Sequence, residues 1–218
     1  MKLSHTLAAL AAVAALATSA TADVLYSWES GLEGWSLNSG YSYTNSTTLG
    51  VTDGTSSLQI TAPIGDMWWA PMSIGLDATQ RTQVFSGTTG FSVDVTYLNP
   101  GYTSWYNPAS VSLIVQGDGV SWTSLGNVSV PVGATTPTHA TFSIDSTTAN
   151  QLATGTWAQM FLAFSYGNDD GAGVVRPASV NINVDNFSNV TAIPEPSTYA
   201  AIGGVIVLGA ALIRRRRR

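Results

Sequence analysis

"SVNINVDNFSNV", residues 179–190, decides the fold. Apolar side chains fall at Val180, Ile182 and Val184, with Asn181, Asn183 and Asp185 between them. A period of two puts the first set on one face of a strand, toward a core, and the second set outside. Such a strand needs partners with the same alternation, and the chain supplies them. "FSVDVTY" aligns Phe91, Val93, Val95 and Tyr97, "VSLIVQ" aligns Val111, Leu113 and Val115, and "ATFSID" offers Phe142 and Ile144. "TWAQMFLAFSY", residues 156–166, alternates less cleanly and reads as a strand buried on both sides. Turn residues separate these runs at 99–101, 116–119 and 167–173. One short helix is expected at "STTANQLATG", with Ser146 as N-cap and Gly155 as stop.

Eight to ten short strands in about 170 residues predict an all-β fold, a two-sheet antiparallel β-sandwich. Its core should contain Trp35, Val93, Val95, Leu113, Val115, Phe142, Ile144, Phe164, Ile182 and Val184.

Outside this body, both ends carry transport signals. Residues 1–22, "MKLSHTLAALAAVAALATSATA", have a basic Lys2, an apolar run from Leu7 to Leu16 and an A-x-A site, the pattern of a secretory signal peptide. The last stretch, "PEPSTYAAIGGVIVLGAALIRRRRR", places Pro194, Glu195 and Pro196 before an uncharged run at 199–213. Arg214, Arg215, Arg216, Arg217 and Arg218 follow. The proline rings keep the motif extended, the apolar run reads as a short transmembrane helix, and the arginines belong on the cytoplasmic side. Prolines, helix and arginines in this order resemble the PEP-CTERM sorting signal. That resemblance implies a Gram-negative bacterium, export by the Sec machinery, transient anchoring in the inner membrane, and processing by an exosortase. It implies a final place at the cell surface or in an exopolysaccharide-associated biofilm matrix. The expected division is therefore 1–22 signal peptide, 23–192 body and 193–218 sorting signal.

With the ends set aside, twelve acidic residues against Arg81 and Arg176 leave the body near −10, while the whole chain stands at −5. Such a body repels phosphate backbones, which excludes nucleic acid as a partner. There is no cysteine, so no disulfide supports the exported fold.

No catalytic constellation emerges. The body has one histidine, His139, in a Pro- and Thr-rich stretch that reads as a loop, and no G-x-S-x-G. Zinc would need a His or Cys cluster, which is missing. Scattered carboxylates leave a glycoside hydrolase as the third-ranked reading. Aromatic residues offer a different chemistry, since sugar rings stack on exposed Trp and Tyr while polar neighbours bond their hydroxyls. The candidates are Trp68, Trp105, Tyr106 and Trp122; Trp105 and Tyr106 fall in the loop "NPGYTSWYNP". Each could instead be packing at the ends of the sandwich.

Three stretches carry a second resemblance. "YSWESGLEGWSLNSG" supplies Trp28-Glu29 and Gly34-Trp35, "VTDGTSSLQITAP" supplies Gly54 to Leu58, and the closing strand supplies Asp185-Asn186. Together they look like the jelly roll of carbohydrate-binding modules, also called galactose-binding-like. The resemblance implies a non-catalytic domain, with polysaccharide recognition as the alternative to a purely structural matrix role. It also implies a structural calcium ion between the first strand and the last. Glu29 and Asp185 would be its ligands, with carbonyl oxygens near residues 53–56 completing the shell.

Overall fold

The computed structural model describes residues 22–63, 70–98, 109–165 and 179–191. Ten strands and two short helices occupy them. In chain order these are β1 (Ala22–Tyr26), β2 (Ser42–Ser46), β3 (Ser57–Pro63), β4 (Ala70–Leu76), α1 (Ala78–Phe85), β5 (Thr88–Tyr97) and β6 (Ser110–Gly117). Then follow β7 (Val120–Ser129), β8 (Thr138–Ser143), α2 (Ser146–Thr154), β9 (Ala158–Ser165) and β10 (Ser179–Thr191). Residues 1–21 of the expected signal peptide, Trp68, Trp105, Tyr106, the Pro-Glu-Pro motif, the 199–213 helix and the arginine cluster lie outside the described residues, while Ala22, the last residue of that expected segment, opens β1. Among the described residues, no helix is long and apolar enough to cross a membrane.

The strands form two antiparallel sheets, as the alternation requires. The six-stranded sheet runs β2-β3-β10-β5-β8, with β1 also paired to β10. The four-stranded sheet runs β4-β9-β6-β7. β10 can serve β3 and β1 in turn because it is 13 residues long, with β3 on residues 179–184 and β1 on 187–190. Between the two pairings the register slips and Asn186 adopts φ +50°. This bulge resets the alternation. Val180, Ile182 and Val184 point inward before it, and Phe187 points inward after it, all fully buried.

All ten expected core residues are buried, and side chains of both sheets join one apolar cluster. Removing such a side chain from water contributes about 1.5–3 kcal/mol each. The cluster has an aromatic end, where Phe187 stacks on Phe91 at 5.7 Å and meets Trp35 edge-on at 5.8 Å. Trp28 lies 6.0 Å from Trp35 and is wholly buried at φ +50°, a conformation a non-glycine residue rarely takes. Tyr97 ties the sheets directly: its hydroxyl lies 2.8 Å from the Ser110 carbonyl and 3.1 Å from the Ser165 carbonyl across the core.

Both helices sit where the chain changes sheets, α1 between β4 and β5 and α2 between β8 and β9. The expected helix is α2, but its N-cap is Asp145, not Ser146. The Asp145 carboxylate accepts from Thr148 N at 2.9 Å and Thr148 Oγ1 at 2.7 Å. Gly155 ends it, as expected. α1 was not foreseen. Its signal is a capping box, Asp77 to Gln80 N at 2.9 Å and Asp77 N to Gln80 Oε1 at 2.9 Å.

Candidate functional site

β4, β6, β7 and β9 contain no charged residue. Their even-phase residues in β9 (Ala158, Met160, Leu162, Phe164) and odd-phase residues in β6 (Val111, Leu113, Val115) fill the core. The opposite phase faces outward, and strand register builds that face residue by residue. Gln159 stands between Gln116 of β6 and Gly75 of β4. Phe161 stands between Ile114 and Ser73, and Ala163 opposite Ser112.

Gln116 Nε2 donates to Gln159 Oε1 at 3.0 Å, which joins the two amides across neighbouring strands. Asn127 Nδ2 reaches Ser112 Oγ at 2.8 Å and Ser110 Oγ at 3.0 Å. Trp122 of β7 crosses Phe161 with ring centres 4.6 Å apart, yet remains 44% exposed. Trp157, immediately before β9 begins, is 48% exposed. A side chain at Gly75 would meet nothing within 4 Å, so the lane beside Gln159 is open. The face thus offers the exposed indole of Trp122, a hydrogen-bonded pair of amides and no charge along its strands, with the exposed Trp157 at the entry to β9. An indole face binds the C–H side of a sugar ring, and a fixed amide both donates to and accepts from hydroxyls.

Trp122 is the expected aromatic that the described residues contain, and Trp157 is the one that the sequence reading missed. The signal was available: Trp157 stands immediately before β9, two residues ahead of the outward Gln159 and four ahead of the outward Phe161.

The outer face of the six-stranded sheet is different. Asp94 and Asp185 stand directly opposite each other in β5 and β10, and His139 stands opposite Asp94 in β8. His139 is therefore a strand residue and not the expected loop residue; the strand starts right after Pro137. Its Nδ1 lies 2.7 Å from Asp94 Oδ1, while Asn186 Nδ2 donates to Asp94 Oδ2 at 3.1 Å. Asn183 and Asp185 were expected outside. They do face away from the core, but residues 47–57 fold over them and leave both fully buried.

The cover is held by hydrogen bonds. Asn183 Nδ2 donates to Leu49 O at 3.0 Å and Ser57 Oγ at 2.9 Å. Asp185 Oδ2 accepts Thr52 N at 2.6 Å, Asp53 N at 2.9 Å and Thr52 Oγ1 at 3.2 Å; Oδ1 accepts Asn186 N at 2.8 Å. Glu29 holds the other end of the same turn. Its Oε1 accepts Thr55 N at 2.8 Å and Ser56 N at 3.2 Å, and its Oε2 accepts Thr55 Oγ1 at 2.6 Å and Ser56 Oγ at 3.4 Å. The donors from Thr55 and Ser56 hold the Glu29 carboxyl below the usual range. Burial pushes the Asp185 carboxyl up, against the pull of its own donors. Among the described residues, no group of three or more His, Cys, Asp or Glu side chains could hold a metal ion.

No family model and no curated protein matches the chain. Solved structures do. The CBM22-1 xylan-binding domain from Paenibacillus barcinonensis Xyn10C matches at a TM-score of 0.49 and 16% identity, over 81% of this chain and all of that one. A TmCBM61 structure in complex with β-1,4-galactotriose matches at 0.47 and 9%, over 76% of this chain and 94% of that one. An exo-β-agarase matches at 0.51 and 10%, over 81% of this chain and 26% of its own. The agarase match shows a shared fold over that stretch, and at this identity it shows the fold alone.

Proposed function

We propose that the body is a non-catalytic module that binds a neutral polysaccharide on the outer face of the four-stranded sheet. The observation that carries this is the pair of exposed tryptophans, Trp122 and Trp157, beside the Gln116–Gln159 amide pair on an uncharged face. Apolar rings left open to water on a strand face need a reason, and a sugar chain satisfies rings and amides together. The body's charge near −10 disfavours sulfated or uronate chains. Xylan and galactan, both neutral polymers, are the first ligands to try.

Hydrolysis fits poorly. Asp94 and Asp185 are close in register, but both are covered, and their oxygens already accept hydrogen bonds. A hydrolase needs one carboxyl free to protonate the glycosidic oxygen and a cleft to admit it.

Residues 1–22 and 194–218 extend the proposal. The chain is exported, held in the inner membrane by its apolar tail, and released to the surface or matrix after exosortase processing at Pro194-Glu195-Pro196. There the module would anchor the protein to exopolysaccharide.

Two measurements test the two halves. Affinity electrophoresis of the full chain through gels containing xylan, galactan, β-glucan or a polyuronate should show retardation by a neutral polymer. Passage through every gel unretarded ends the binding proposal. Intact mass of the native protein should lack residues 1–22 and the arginine cluster. Mature protein that retains Arg214 to Arg218 ends the sorting proposal.

A further inference from the structure

We infer that a closed set of hydrogen bonds, and not a calcium ion, ties the first strand of this fold to the last. The turn at residues 52–56 lies between Glu29, just past β1, and Asp185 in β10. Its amides are divided between the two: Thr52 and Asp53 donate to Asp185, Thr55 and Ser56 to Glu29. A carboxylate has about four lone-pair sites. Asp185 receives three N–H groups and one hydroxyl, and Glu29 two N–H groups and the Thr55 hydroxyl, with the single O–H of Ser56 shared between Glu29 Oε2 and the Glu29 carbonyl. Asp185 is full, and Glu29 is full but for that shared bond.

Carbonyls beside the two carboxylates accept hydrogen bonds as well. Trp28 O accepts Asn45 Nδ2 at 2.6 Å, Glu29 O accepts Ser56 Oγ at 3.2 Å, and Leu49 O accepts Ser57 Oγ at 2.6 Å. Calcium requires six to eight oxygen lone pairs directed at one point. Here N–H groups, which have none to give, are directed at the carboxylates instead. The residues that would hold the ion therefore do not fit it. Gly54 completes the arrangement. It sits at φ +62°, and a Cβ there would collide with Glu29 Oε1. The turn closes on the Glu29 carboxylate because this position has no side chain.

Metal content and thermal melting of the full chain decide the matter. After purification without added metal, calcium measured by mass spectrometry should be far below one ion per chain. The melting temperature should be the same in EGTA and in millimolar calcium. Thr55→Val keeps the amide and the volume but removes the hydroxyl donor. It should lower the melting temperature by a few degrees with no change in the response to calcium. A melting temperature that falls in EGTA and recovers with calcium overturns the inference, as does stoichiometric calcium in the purified chain. Thr55→Val melting with the wild type would equally overturn it, because the clasp would then hold nothing.

Discussion

The two sheets begin from one rule and present opposite outer faces. In each, alternate residues enter the core and the others point away. On the six-stranded sheet the outward set includes Asp94, Asn183, Asp185 and His139, and residues 47–57 cover much of it. On the four-stranded sheet the outward set is Gln116, Gln159, Ile114, Phe161 and Trp122, and two tryptophans stay open. Charged and amide side chains were buried where a turn could bring enough donors. Indoles were left exposed where they could not be needed for the core. Outward phase therefore fixes which way a side chain points, and the chain passing over it fixes whether water reaches it.

The sharpest break between the two sides of a strand is in β10 itself. Ile182→Ala removes an inward, fully buried side chain and should cost about 2–5 kcal/mol in urea unfolding. Loss below about 1 kcal/mol would mean that the sheets are not packed on this strand.

Next comes the contrast between the covered and the open face. Asp185→Ala leaves four donors without their acceptor, and should cost about 2–4 kcal/mol. Gln116→Ala on the open face loses one neutral hydrogen bond, and should cost about 1 kcal/mol or less. Equal costs would erase the distinction drawn between the faces.

These faces were unequally legible in the sequence. The inward phase of β5, β6 and β10 could be read directly, because strict alternation over six or more residues leaves one solution. The cover on Asn183 and Asp185 could not. It depends on a turn more than 120 residues away, and no local pattern marks that register. Trp157 stands just before β9, ahead of the outward Gln159 and Phe161, but the apolar run after it made β9 look buried on both sides. Phe161 at 8% exposure shows why: its outer side is apolar as well, under Trp122. α1 was hidden for the reverse reason. "ATQRTQVF" buries only Val84 and Phe85, so its helical period is faint and the capping box is its clearest mark.

On the open face the effect should appear in binding before stability. Trp122→Ala and Trp157→Ala should each weaken polysaccharide binding about 10-fold or more, as loss of an exposed stacking anchor does. Val24→Ala, an exposed apolar residue on β1 of the other sheet, should leave binding unchanged. Calorimetric titration against the polymer retained in the gels reads both. Weakening by Val24→Ala equal to that of the tryptophan variants would remove the face from the proposal.

The smallest effect concerns pH, and it divides the covered face against itself. Donors from Thr55 and Ser56 hold Glu29 below its ordinary value of 4.5. A carboxyl depressed on folding stabilises fully above 4.5, and that contribution is lost as pH falls through the lower folded value. Asp185 has the opposite sign, because burial raises it above 3.8 and makes its ionised form costly. Its protonation relieves that cost as pH falls through the raised value. The two ends of the clasp thus respond to acid in opposite directions. Glu29→Gln keeps the length and one acceptor oxygen but cannot titrate, so the acid-sensitive part of the clasp is lost with it. The variant should melt below the wild type at pH 7. As pH falls below 4.5 and through the lowered folded value, its melting temperature should decline less steeply than that of the wild type, and the two curves should converge. Curves that stay parallel through that range would show that the donors do not distinguish the charged Glu29 carboxylate from a neutral amide, and that the clasp at this end rests on shape alone.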